Sequence, residues 1–307
     1  MAHFADQLVA GVRRCGTPVL VGLDPRAESL PQGMLAEDQK HSPSAVAQAY
    51  EQFSKGVIDV VAELVAVVKP QAAFFEQCGP AGMVALGRVI EYARHRGLLV
   101  ILDGKRNDIG TTATAYAEAY LGAPPASPWG ADALTVSPYL GDDSLTPFVD
   151  VARQRDAGVF VLVKTSNPGG KMLQDLVVDG RPLYRRVGEY VEQLATDTQG
   201  ECGYGAVGAV VGATFPEQAA ELRAAMPHTW FLVPGFGAQG GTARDVAASF
   251  DSQGLGAIVN NSRGIIFAHS AKAYRDRFGD ARWQEAVAAA TRDMIAQLKA
   301  DTPAGKL

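Results

Sequence analysis

Eight short apolar runs recur along this chain of 307 residues, with segments of helical spacing between them. They fall at 18–23, 64–69, 98–103, 133–137, 158–164, 206–211, 230–234 and 256–260. Runs of this length with little polar alternation suit parallel strands covered on both faces. Segment 44–63 places Val46, Tyr50, Phe53, Val57, Val60 and Val61 at helical intervals, and 83–96, 183–196 and 216–225 follow the same rule. An Ala-rich amphipathic helix is expected at about 281–298, with no strand after it. Strand and helix alternating eight times predict an α/β chain closed into a (β/α)8 TIM barrel. An open doubly wound sheet is the alternative. No linker or low-complexity stretch divides the chain, so 1–307 reads as a single domain with its strands between about 18 and 261.

Two connections exceed what a barrel needs, at 24–43 after the first strand and 165–182 after the fifth. Both leave C-terminal strand ends, where barrel enzymes build their sites. The polar stretch 122–130 enters the fourth strand from the other face and reads as structural. The strand ends themselves carry charge: Asp24 after the first, Lys69 after the second, Asp103 and Lys105 after the third, and Lys164 with Ser166 after the fifth. A purely structural barrel has no reason to gather such groups, because burying unpaired charge is costly. Convergence of this kind marks an active site.

The densest of these stretches is Asp103-Gly104-Lys105-Arg106-Asn107-Asp108-Ile109-Gly110-Thr111-Thr112. Asp103 and Lys105 are two apart, so on a strand they point the same way with Cα atoms roughly 6–7 Å apart. Asp108 and Thr112 are four apart and would share a face if a helix begins here. A polar strand-to-helix loop with Asp108 or Thr111 as cap is the bland alternative.

After the seventh strand, Gly235, Gly237 and Gly240 mimic a dinucleotide fingerprint. That fingerprint requires an acidic residue at the end of the next strand, yet the next strand finishes Asn260-Asn261-Ser262-Arg263. The glycines with Gln239, Ser262 and Arg263 suit a phosphate site instead, with backbone N–H groups and a guanidinium fork around the anion. The histidines (His3, His41, His95, His228 and His269) avoid every strand end, which argues against a histidine triad or metal site. Asp24, Asp103 and Asp108 could hold a metal in principle, but Lys69 and Lys105 would set two ammonium groups beside it. The array of Lys69, Asp103, Lys105 and Asp108 reads as roughly neutral and metal-free.

Net charge is −5 with no Lys/Arg block, which disfavours nucleic acid and anionic membranes as partners. No apolar stretch approaches the ~18 residues of a membrane span. Cys15, Cys78 and Cys202 are odd in number and far apart, as reduced thiols would be. With no basic-then-apolar leader at Met1 to Asp6, a cytoplasmic location is expected.

The run from Asp103 to Thr112 resembles the D-x-K-x-x-D-I-x-x-T signature of the orotidine 5'-phosphate decarboxylase family. Segments 21–24, 69–75, 234–241 and 261–264 are similar to further family segments, and the resemblance spans about 18–268. Chain length and the Asn-Ser-Arg-Gly ending resemble the longer bacterial, type 2 subfamily. The resemblance implies conversion of orotidine 5'-phosphate to UMP and CO2, the last step of de novo pyrimidine synthesis, without cofactor or metal, in a homodimer with shared active sites. It implies that Lys105 is the proton donor and Asp103 the carboxylate facing the substrate's own. Lys69 and Asp24 would hold the ribose hydroxyls, with Lys69 also counted among the catalytic charges. Asp108 and Thr112 would serve the neighbour's site. Ser166 would contact the pyrimidine, and Gln239, Gly240 and Arg263 would bind phosphate. Two rivals remain at this point: a barrel that stabilises a sugar-phosphate enediolate with Mg2+, which would favour a carboxylate where Lys69 stands, and a non-catalytic phosphate-binding barrel.

Overall fold

A computed structural model of the chain describes residues 3–237 and 240–307. Eight parallel strands close into a barrel: β1 (Val19–Leu23), β2 (Val67–Pro70), β3 (Leu99–Arg106), β4 (Ala133–Val136), β5 (Gly158–Lys164), β8 (Val207–Val211), β9 (Phe231–Val233) and β10 (Ala257–Asn261). Their order around the barrel is the chain order, and β10 pairs with β1 to complete the ring. The two-stranded ribbon of β6 (Val177–Val178) and β7 (Arg181–Pro182) lies inside the long connection after β5. Nothing in the apolar pattern marks that ribbon, because Val177 and Val178 are both exposed.

Side-chain alternation divides the interior in two. Leu20, Val67, Ile101, Ala133, Phe160, Val210, Leu232 and Ile258, one from each barrel strand, meet in an inner core. The opposite faces of the same strands, including Val21, Val68, Leu102, Val136, Val161 and Val211, pack under the surrounding helices.

Helix Phe4–Cys15 precedes β1 and was not expected from the strand pattern, although Phe4, Ala5, Leu8, Val9 and Val12 form its buried stripe. These residues join the inner core, so the helix stoppers the N-terminal mouth of the barrel. Phe4 packs edge-on to Phe160 with ring centres 6.1 Å apart. Gly158 makes room for it, since a Cβ there would lie 2.4 Å from the Phe4 ring. Outside the barrel, helix Pro43–Val61 and the C-terminal helix Trp283–Asp301 pack side by side through Phe53, which lies 5.2 Å from Trp283 and stacks on Phe267. With one mouth plugged, the C-terminal strand ends are the open face.

Candidate active site

The register of β3 builds the centre of the site. Leu102 lies opposite Leu134 and Arg106 opposite Val136, so four steps on β3 face two on β4. Two surplus residues leave side-chain parity unchanged. Asp103 and Lys105 therefore stay on the inner side with Ile101, while Arg106 turns outward to Glu76, Tyr116 and Tyr120. The surplus is absorbed at Lys105, whose left-handed φ of 45° is uncommon for a side chain of this kind. Its N–H is satisfied by Thr135 Oγ1 at 2.9 Å.

This kink sets Lys105 Nζ 2.6 Å from Asp103 Oδ1. Lys69, fully buried at the end of β2, donates to Asp103 Oδ2 at 2.7 Å. Gln71 Nε2 reaches the same oxygen at 3.0 Å, and Thr135 Oγ1 donates to Oδ1 at 3.0 Å. Asp103 thus accepts four hydrogen bonds, two of them from ammonium groups. Burial by itself would raise its pKa, but Lys69 and Lys105 outweigh burial and hold the carboxyl far below the usual range. Burial likewise works against the charge on Lys69, and Asp103 with Asp24 overcomes it, raising its pKa. Both groups are charged at neutral pH.

These residues line a cavity of about 490 Å³ together with Asp24, Ser166, Asn167 and Asn260. Asp24 Oδ1 and Asn260 Oδ1 are buried acceptors with no protein donor. A smaller cavity of about 150 Å³ shares Asp24, Pro234 and Asn260 with the first and adds Gly235, Ser262 and Arg263. Gly22 permits this end to form: a Cβ there would fall 1.8 Å from Ser262 Oγ and 2.9 Å from Asn260 Oδ1. Gly240 is exposed with φ 93°, and its N–H bonds to Gly237 O at 2.8 Å. Gln239 lies outside the described residues.

Other expected residues are placed elsewhere. Asp108 and Thr112 do not line the cavity of their own barrel. Helix Gly110–Tyr120 starts only after Ile109, so Asp108 precedes it, and the two do not share a helical face. No side chain caps that helix; the Asp108 carboxylate accepts from Ile109 N at 2.9 Å. Lys164 also stays out of the cavity, for a reason of register. Leu162 faces Val210 but Lys164 faces Val211, a surplus of one residue on β5. One surplus residue reverses parity, and Lys164 joins Val211 on the outer side.

Gln71, Thr135 and Asn260 were missing from the sequence-derived site. Gln71 and Asn260 follow or end their strands and were legible as polar strand ends. Thr135 sits within β4, where only the ladder shows that it faces Asp103. Among the described residues no group of three or more His, Cys, Asp or Glu converges as metal ligands would, and no helix is long and apolar enough to cross a membrane.

The model of the orotidine 5'-phosphate decarboxylase / HUMPS family matches residues 17–276, most of the chain. The chain belongs to this family. A relative from Rhodopirellula baltica, named orotidine 5'-phosphate decarboxylase, is 59% identical over 97% of this chain and 100% of its own length. Another of that name, from Caldicellulosiruptor bescii, is 39% identical over 90% of this chain and 93% of itself. Among solved structures, the Leishmania donovani OMP decarboxylase is 35% identical, with a TM-score of 0.76 and coverage of 97% of this chain and 98% of that one. A Streptomyces avermitilis structure described as a putative member is 35% identical with a TM-score of 0.79, covering 98% and 96%. These structures share the (β/α)8 barrel. The run Asp103 to Thr112 begins at the kinked end of β3, where Asp103 and Lys105 meet the cavity, and continues into helix Gly110–Tyr120.

Proposed function

We propose that this cavity decarboxylates orotidine 5'-phosphate to UMP and CO2, the last step of de novo UMP synthesis. The observation that carries the mechanism is the ammonium of Lys105, held 2.6 Å from Asp103 at a cavity of about 490 Å³. Breaking the bond from C6 to the carboxyl group releases CO2 and leaves the electron pair on C6 in an sp2 orbital, out of conjugation with the ring carbonyls. Stabilisation must then come from charge fixed in advance. An ammonium ~4 Å from that carbon contributes about 4 kcal/mol at an effective dielectric of 20. Lys105 then donates its proton to C6 and regains one from water. Asp103 keeps Lys105 oriented and faces the carboxylate that departs.

Asp24 and Asn260 offer buried acceptors to the ribose hydroxyls, with Lys69 between Asp24 and Asp103. Ser166 contacts the pyrimidine, and Ser262, Arg263 and the glycine loop with Gln239 and Gly240 receive the phosphate. Two ammonium groups beside the carboxylates disfavour a divalent cation, so the reaction needs neither metal nor cofactor. Asp108 and Thr112 complete the site of a second subunit. Their failure to reach their own cavity supports this reading, as does the exposed apolar side chain of Ile109, next to Asp108 in the chain, at 55% exposure. Three unpaired cysteines fit a cytoplasmic enzyme. The test is the ultraviolet loss of orotidylate absorbance with and without EDTA. Turnover unaffected by the chelator is expected, and absence of turnover without added metal defeats the reading.

A further inference from the structure

The loop after β5 carries Thr165, Ser166, Asn167 and Gln174 to the cavity wall. Its two ends are tied together by a buried charge. Lys164 is 0% exposed, and its Nζ is bonded to the carboxylate of Asp175. Lys164 immediately precedes the loop segment 165–174 and Asp175 immediately follows it, so the ion pair closes the loop at its base. The rings of Phe215 and Tyr184 flank the ammonium at 4.6 and 5.4 Å. Asp175 is the one carboxylate paired with Lys164 among the described residues.

Both ends of the loop are fastened at this base. Gln174 spans the loop, accepting from Thr165 N at 3.0 Å and donating to Thr165 Oγ1 at 2.8 Å. On the far side Gly212 N donates to Lys164 O at 2.7 Å, and Thr214 Oγ1 donates to Ser166 O at 3.2 Å. Gly212 approaches so closely that a Cβ would lie 2.7 Å from Ser166 N. A buried ammonium is costly without its partner, and this one can be neutralised only while Asp175 is folded back onto β5. Opening the loop therefore strands the charge.

We propose that Lys164 and Asp175 form a clasp whose role is to position the pyrimidine-recognising loop. Lys164 touches no substrate; it is a positioning residue acting through the loop backbone. The proposal rests on the assignment of Ser166 to the pyrimidine, and its consequence is that base recognition is organised before substrate arrives. Loss of the clasp weakens orotidylate binding more than it slows the chemistry, because Lys105 and Asp103 stand on β3.

The test uses Asp175→Asn in the full chain, with Asp179→Asn as control. Asp179 pairs with Arg186 on the exposed ribbon of the same connection. Exposed Lys171 lies within the loop and reports its opening as a trypsin site, independently of activity. In Asp175→Asn, KM for orotidylate is expected to rise by about tenfold or more, equivalent to about 1.4 kcal/mol. Over the same comparison kcat should stay within about threefold and cleavage after Lys171 should accelerate by about tenfold. Asp179→Asn should change neither. A folded Asp175→Asn variant with wild-type KM and cleavage rate overturns the clasp. Faster cleavage with unchanged KM refutes its role in recognition, and wild-type protein without turnover refutes the functional reading instead. If Asp175→Asn does not fold, Asp175→Glu is read by the same criteria, with smaller shifts expected.

Discussion

Replacing Asp103 with Asn tests whether one carboxylate both holds the site together and prepares its chemistry. The amide keeps the shape and the bond to Thr135, but it cannot balance the two ammonium groups at 2.7 and 2.6 Å. Each pair is worth about 6 kcal/mol of Coulomb attraction at an effective dielectric of 20, before desolvation. The Lys105 pair must be discounted, since that side chain is 46% exposed and solvent screens it. The Lys69 pair is buried, and removing one partner of a buried pair costs about 3–5 kcal/mol. Asp24 remains near Lys69 and softens the loss, so about 3 kcal/mol of destabilisation is expected. For a chain of 307 residues that corresponds to a fall of roughly 5 °C in the thermal midpoint. Activity should suffer more than stability, because Lys105 loses the acceptor that aims it. A drop in kcat of about a hundred- to thousandfold is expected, the size seen when a preorganised electrostatic group is removed. Orotidylate absorbance and thermal denaturation measure the two effects on the same sample. A variant with kcat within about threefold of wild type would refute the argument that Asp103 orients the proton donor.

Three other outcomes follow from the geometry. Gly22→Ala should displace Ser262 and raise KM for orotidylate by about tenfold or more, since contacts this close leave no room for a methyl; an unchanged KM would show that this strand end does not shape the proposed phosphate site. Asp103 ionises below its unfolded value of about 3.9, so its stabilisation is present above that pH and lost as pH falls through the folded value; Lys69 ionises above its unfolded value of about 10.4, so its share is lost only as pH rises past it. The gap in thermal midpoint between wild type and Asp103→Asn should therefore shrink progressively as pH falls below about 4, and a gap that does not shrink at all contradicts the assignment. Mixing Lys105→Ala chains with Asp108→Ala chains should restore activity in heterodimers, and no rescue despite confirmed subunit exchange counts against shared sites.

The barrel was legible because each of its eight staves is a separate apolar run, and the helices between them keep their own spacing. Asp24, Lys69, Asp103, Lys105 and Ser166 were legible as polar residues at the strand ends, and all of them line the main cavity. What escaped was whatever depends on register. Thr135 is one more residue of a short strand until the β3–β4 ladder puts it opposite the kink. Helix Phe4–Cys15 escaped because it is surplus to the strand–helix repeat, although its stripe was visible. The expectation that Asp108 and Thr112 share a helical face failed because the helix begins two residues beyond Asp108.

The two lysines at the ends of β3 and β5 show how parity decides function. In sequence both stand two residues beyond a residue of the inner barrel face, Lys105 after Asp103 and Lys164 after Leu162. A strict alternation would aim both ammonium groups into the cavity. On β3 the ladder gains two residues, parity survives, and Lys105 meets Asp103. On β5 it gains one, parity inverts, and Lys164 is driven beneath the loop to Asp175. Had β5 remained regular, a third ammonium would crowd Lys69 and Lys105 around the carboxylates of Asp103 and Asp24. The surplus positive charge would lower the proton affinity of Lys69 and loosen its hold on Asp103. The irregularity at β5 thus protects the charge balance that β3 creates, while giving the removed lysine a structural task at the rim.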